Sequence, residues 1–248
     1  MRRLRKRIIQ PLLRDQALQK TDLVAPLFID ETASSRRAIP SMPGQFRYPP
    51  REAESVARDL WDAGIRAVLL FGVPKEKDAQ ASSAYDPDGV VQRAVRSIKN
   101  SVPEMVVITD VCACEYTDHG HCGIVGDTRC GIDLLNDPSL DVMDRIALSH
   151  AGSGADVVAP SCMLDGVVQS IRHALDREGF EDVLIMSYST KFASALYGPF
   201  REAADSGFQF ADRTTYQVHP GNTREAVMES MLDLDEGADI LMVKPAGF

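Results

Sequence analysis

Short apolar runs alternate along the chain with stretches whose apolar residues recur at helical spacing. The runs predict strands at 22–29, 67–73, 105–111, 156–160, 183–188, 214–218 and 239–244. Between the first two, 52–63 places Val56, Leu60 and Ala63 on one helical face, and Gly64 follows as a stop. Segment 86–99 opens with Asp-Pro-Asp-Gly, a helix-start signal, and 139–151, 165–177 and 222–234 show similar amphipathic periods. Gly179 and Gly237 stand where helix-ending glycines belong. Continuous apolar strands alternating with helices imply a parallel sheet covered on both faces. No G-x-G-x-x-G and no P-loop follows any of these strands, which disfavours a dinucleotide fold and favours a (β/α)8 barrel. Stretch 31–50, rich in Ser, Pro and Arg, reads as a long loop, and 198–212 as a second one, a candidate lid.

Composition narrows the class. A length of 248 residues suits a single α/β barrel. With 44% apolar and 25% charged residues the chain is ordinary globular protein, which sets aside disordered and collagen-like classes. No apolar run reaches the ~18 residues of a membrane helix. The 27 basic residues against 36 acidic ones give a net charge of −9, a poor match to nucleic-acid phosphates. The cysteines, 112, 114, 122, 130 and 162, are odd in number, and the basic start 1–7 has no apolar stretch after it. Both features point to a cytoplasmic protein rather than a secreted disulfide scaffold.

Polar residues collect where the apolar strands end: Asp110 and Cys112, Ser161, Lys191, Gln217 with His219, and Lys244. A barrel brings those ends to one face, where barrel active sites lie. Cys112, Cys114 and Cys122 have C-x-C-x7-C spacing, with His119 and His121 inside the run. Three thiolates can hold a zinc and leave its fourth position open. Against this stands a plain packing role for reduced cysteines. The two histidines are read as ligands or as supports behind the thiolates; Cys130 and Cys162 are read as ordinary thiols. Lys191 follows Ser-Tyr-Ser-Thr and precedes Phe192 and Ala193, with Tyr197 nearby. Desolvation there disfavours the ammonium and frees a nucleophilic amine. Lys244 ends the most apolar strand, and two lysines in one barrel mouth would each favour the other's neutral form. Any one lysine is more often a solvated side chain. Arg201 and Arg213 flank the candidate lid and suit a small acidic substrate, or else surface ion pairs with Glu202, Asp205 or Asp212.

Arg-Arg-Leu-Arg at the start, Ser-Met-Pro-Gly, the cysteine run, Met-Ser-Tyr-Ser-Thr-Lys-Phe-Ala-Ser, Tyr-Gly-Pro-Phe-Arg and Leu-Met-Val-Lys-Pro-Ala-Gly together resemble the porphobilinogen synthase family. The resemblance runs from Arg2 to Phe248. It implies a (β/α)8 TIM barrel (21–248) with a short N-terminal arm (1–20), assembled as a homo-octamer or hexamer. It implies condensation of two 5-aminolevulinate molecules to porphobilinogen with loss of two waters, in heme biosynthesis. Lys244 matches the Schiff-base lysine of the first-bound substrate and Lys191 that of the second. Cys112, Cys114 and Cys122 match the Zn2+ site of the zinc-dependent branch. Arg201, Arg213 and Gln217 match groups on the second substrate's carboxylate, and Asp110 and Ser161 match pocket-lining residues. Glu229 matches a glutamate at an allosteric Mg2+ site.

Four departures accompany the resemblance. The family continues through one more strand and further helices, so the chain is expected to be C-terminally truncated, with an unclosed barrel and weak or no turnover alone. Val167 stands where Arg or Gln is usual, Cys162 where an acidic or small residue is usual, and Met228 where Arg is common. Two other functions fit parts of the pattern: a class I aldolase-type Schiff-base lyase, and a noncatalytic truncated subunit that affects assembly.

Overall fold

The computed structural model describes residues 17–129, 131–207 and 213–246. The N-terminal arm up to residue 16, Cys130 and the lid positions 208–212 lie outside the described residues. In chain order the elements are β1 (Val24–Asp30), β2 (Arg37–Ala38), β3 (Phe46–Tyr48), α1 (Ala53–Asp62), β4 (Ala67–Val73), α2 (Val90–Ser101), β5 (Val106–Val111), β6 (Val125–Thr128), β7 (Gly131–Leu134), α3 (Asn136–Gly152), β8 (Val157–Pro160), α4 (Val167–Arg177), β9 (Leu184–Lys191), α5 (Gly198–Ala204), α6 (Thr223–Asp235) and β10 (Ile240–Lys244).

One sheet runs in the order β10-β9-β8-β5-β4-β1-β3-β2. Its neighbours from β10 to β1 pair in parallel. Apolar residues on these strands separate by parity into two cores. Leu27, Ile29, Val68, Leu70, Val107, Val158 and Ile185 pack outward with helix residues such as Val95, Ile98, Ile146 and Ile171. Phe28, Leu69, Phe71, Ile108, Val157, Ala159, Met186 and Tyr188 pack against one another on the inner side. Successive side chains on a strand face opposite ways, so each strand supplies both cores. Together these strands are the wall of an α/β barrel with helices outside. Large apolar residues are exposed along α6 and β10, at Val227, Met231, Leu232, Ile240, Leu241 and Val243 among others.

Six of the seven predicted strands form, and the expected sixth, at 214–218, does not. Residues 213–217 turn instead, with Gln217 N–H donating to the Arg213 carbonyl at 3.1 Å, and only Val218 bridges Phe192. The place beside β9 is occupied by β10. Thr214, Thr215 and Tyr216 have strand propensity, but Arg213 ties the segment to the cysteine loop and to the end of α5 by donating to the carbonyls of Gly120 and Ser206. The loop at 31–50 carries a small antiparallel pair, β2 and β3. The cysteine loop leads into a second pair, β6 and β7. The candidate lid starts as helix α5. Among the described residues no helix is long and apolar enough to cross a membrane.

Candidate active site

The C-terminal ends of β5, β8, β9 and β10 carry Asp110, Ser161, Lys191 and Lys244. Lys191 and Lys244 are register partners on neighbouring strands. Parity alone would not aim both inward. Met186 pairs with Ile240 and Ser187 with Leu241, but Thr190 pairs with Val243, so β9 holds one residue more than β10 across this stretch. Ser187 and Ser189 face outward by parity, and the bulge adds Thr190 to the same side. Ser187 and Thr190 bond to Asp233 and Ala226 of α6, and Ser189 lies within bonding distance of Ser230. Lys191 returns to the inner face beside Lys244. Bulges commonly re-aim a side chain next to a site.

The two amines share the ring of buried Tyr188, its centre lying 5.7 Å from Lys191 Nζ and 5.1 Å from Lys244 Nζ. Lys244 Nζ also lies 4.1 Å from the Phe200 ring centre and 5.7 Å from that of Tyr197. It opens on a cavity of about 350 Å³ lined by Phe28, Phe71, Met186 and Tyr188 among others. Burial, and then the positive charge of Lys191, push the Lys244 amine down to about 8. The expectation that both amines would be driven toward neutrality fails for Lys191. Burial pulls it down, but Cys122, Cys112, Cys114 and Asp110 outweigh that and hold it above its ordinary value. It donates to the Ser161 carbonyl. Tyr197, expected beside Lys191, feels that lysine's charge and also lies against Lys244.

The Ser161 hydroxyl donates to Asp110 at 3.2 Å. Burial raises the Asp110 carboxyl to about 6, and the two lysines restrain the rise. Beside it the Sγ atoms of Cys112, Cys114 and Cys122 all lie within 4.8 Å of one another, fully buried, with Cys112 and Cys114 at 3.4 Å. Hydrogen bonds from Cys112 and Cys114 bring the Cys122 thiol well below its ordinary value, with Arg213 and Lys191 adding to the effect against burial. Three converging sulfurs, one with its thiol held well below its ordinary value, fit a zinc ion. Neither His119 nor His121 belongs to a metal-sized cluster among the described residues. His121 Nδ1 lies 3.2 Å from the Tyr216 hydroxyl, and its backbone N–H donates to His119 Nδ1.

Arg213 is buried next to the same thiols, whose charge holds it strongly protonated against burial. Burial, and then the charge of Arg213, push Arg201 down. Gln217, expected with them, lines another cavity of about 260 Å³ together with Asp165, Glu225 and Glu229. Burial and the charges of Asp233, Asp165, Glu236 and Glu225 raise Glu229 to about 7 there. Val167 and Cys162 are buried in the outer core, and Met228 is exposed on α6.

Sequence reasoning missed Glu115, Tyr188 and Phe200. Strand parity with Met186 was a usable signal for Tyr188. Glu115 lay in plain view inside the cysteine run, and only its burial marks it out. Phe200 enters through the fold of α5, which no spacing announced.

The chain matches the family described as Delta-aminolevulinic acid dehydratase over residues 1–248. It is 52% identical to the Delta-aminolevulinic acid dehydratase of Methanothermus sociabilis, over 99% of this chain and 76% of that protein. It is 47% identical to the Escherichia coli protein of the same name, over 99% of this chain and 75% of that one. A crystal structure of delta-aminolevulinic acid dehydratase (porphobilinogen synthase) from Toxoplasma gondii, in complex with the reaction product porphobilinogen, superposes with a TM-score of 0.93 at 38% identity. It covers 99% of this chain and 70% of that one.

Proposed function

Because the chain belongs to the delta-aminolevulinic acid dehydratase family, we propose that Lys244 and Lys191 are the two amines through which it condenses aminolevulinate to porphobilinogen for tetrapyrrole synthesis. The observation that carries this reading is the pairing of the two lysines across the β9–β10 register, over one aromatic ring.

Each amine attacks the keto carbon of one substrate; a C–N bond forms and one water leaves, so two substrates release two waters. The new C–C and C–N bonds of the product then displace the lysine nitrogens, which return as free amines. Placing both substrates on neighbouring side chains makes their union effectively intramolecular. Lys244, lowered to about 8, supplies the readier amine. Lys191 must release a proton before it attacks. Asp110, at about 6 and bonded to Ser161, is the nearby carboxyl suited to exchanging protons. Arg201 and Arg213 receive a substrate carboxylate.

Cys112, Cys114 and Cys122 are the residues we propose for Zn2+. Bound there, it would polarise a substrate oxygen and offset the thiolate charge that keeps Lys191 protonated. Glu229, crowded by acidic neighbours, is proposed as a ligand for Mg2+, which relieves like-charge repulsion. A cytoplasmic homo-oligomer of eight or six copies completes the reading and rests on the family resemblance.

Borohydride reduction in the presence of labelled 5-aminolevulinate, followed by peptide mass spectrometry, tests the assignment. Adducts are expected on Lys244 and Lys191, and Lys244→Arg should abolish the first. Adducts confined to other lysines would refute it.

A further inference from the structure

Beside the three thiols lies a second group of donors. Carboxylate oxygens of Asp110 and Glu115 and the Sγ of Cys112 all fall within 4.8 Å of one another, and all three residues are buried. Glu115 is only 2% exposed and Asp110 8%. Glu115 reaches the cluster from the turn after β5, with Oε2 3.3 Å from Cys114 Sγ. Asp110 lies near the end of β5, and Cys112 follows directly after the strand.

Asp110 Oδ1 and Glu115 Oε1 are buried and find no close hydrogen-bond partner among the described residues, although the Tyr188 hydroxyl lies near enough to interact with the Asp110 carboxyl. Native interiors rarely leave buried polar atoms unmatched, and two together beside a thiol indicate an absent ligand. An anion would be repelled by two carboxyls. A water could satisfy one oxygen but would not relieve the crowding of two acids. A divalent cation does both, and the spacing of the three donor atoms suits bonds of roughly 2.0–2.4 Å.

We propose that the cysteine loop holds two adjacent divalent-cation positions sharing Cys112: one on the three thiols, the other on Asp110, Cys112 and Glu115. The positions differ in softness. Three sulfurs favour zinc strongly. Two oxygens and one sulfur make a harder set, which binds more weakly and admits cobalt or manganese as well. A thiolate has lone pairs for two metals, so Cys112 bridges them. Filling the second position ties up the Asp110 carboxyl that otherwise faces Lys191 and Ser161.

This inference rests on reading Cys112, Cys114 and Cys122 as cation ligands, and the test separates the two claims. The reduced, metal-free 248-residue chain is equilibrated with zinc over a rising concentration series, and bound metal is counted by mass spectrometry. Cobalt is titrated in parallel, and its thiolate charge-transfer absorption reports the sulfur count. The chain should take up two zincs in two steps. Glu115→Gln and Asp110→Asn should each hold one zinc and keep the intense three-thiolate cobalt band, which also shows that the loop has folded. Cys122→Ser should keep the second position with a weaker band. One zinc per chain at every concentration, with Glu115→Gln indistinguishable from the parent, would mean the carboxyls merely share a proton, and would overturn the second position. Retention of two zincs in both Glu115→Gln and Asp110→Asn would overturn it as well. Absence of any thiolate-to-cobalt band would instead overturn the three-thiol site.

Discussion

Lys244 provides the sharpest quantitative test of the site. Its amine moves from an ordinary 10.5 to about 8, first through burial and then through the charge of Lys191. At pH 7 an amine with the ordinary value is about 0.03% neutral, whereas one at about 8 is about 10% neutral, a gain of about 300-fold in the nucleophilic form. The same difference amounts to about 3 kcal/mol between protonation states. The sign for stability follows. The unfolded chain binds the proton between pH 8 and 10.5 and the folded chain does not, so this lysine makes folding stability rise across that window and costs the most below pH 8. The direct assay is competitive acetylation with a small-amine tracer, reading the Lys244 peptide by mass spectrometry from pH 6 to 11. Reactivity should level off just above pH 8. In Lys191→Met the midpoint should move up, because a cation that opposed protonation has gone. A midpoint near 10.5 in the parent chain would show that the aromatic surroundings do not desolvate the amine. An unmoved midpoint in Lys191→Met would show that the two lysines do not share the cavity.

Two further consequences are open to measurement. His150 is fully buried in α3, neither ring nitrogen has a hydrogen-bond partner among the described residues, and burial lowers it from 6.5 to about 3. It is neutral when folded, so its contribution is complete above pH 6.5 and is lost as pH falls toward 3. Urea unfolding at pH 7 and pH 5 should differ by about 2 kcal/mol from this residue, and His150→Gln should remove that part of the difference. Arg47 of β3 grips the end of α5, donating from Nε to the Ala203 carbonyl at 2.9 Å and from Nη2 to the Glu202 carbonyl. Arg47→Ala should speed amide exchange in 198–204 by about 10–100-fold, and unchanged exchange would show that the clamp is idle.

Much of the architecture was legible in the chain because burial on both sheet faces writes itself as unbroken apolar runs. The runs at 67–73 and 105–111 became β4 and β5 with little change at their ends. The strand-end residues Asp110, Ser161, Lys191 and Lys244 were visible because a polar side chain closing such a run has little other reason to be there. The run at 214–218 misled for an opposite reason. Its β-branched residues satisfy strand propensity, but whether a strand forms depends on an edge being free to receive it, and β10 fills the place beside β9. Electrostatics were less legible still. Lys191 is set by thiols that lie about 70 positions earlier in the sequence, and their influence reverses the effect of its apolar flanks.

The β9 bulge shows why the site needed this irregularity. On a regular strand Tyr188 and Lys191 would face opposite sides, with Lys191 directed into α6 and away from Lys244. One extra residue reconciles three demands: an inward Tyr188, an inward Lys191, and no unmet polar group on the outer face. That last demand explains the Ser-Tyr-Ser-Thr-Lys order. Ser189 and Thr190, carried to the same side, meet Ser230 and the Ala226 carbonyl, with Thr190 Oγ1 2.8 Å from the latter. Apolar residues at both positions would leave the Ala226 carbonyl without this bond. Bulky ones would push α6 off the strand. The motif first noticed for its lysine is thus largely a solution to a packing problem, and the pairing of two amines over one ring depends on that solution.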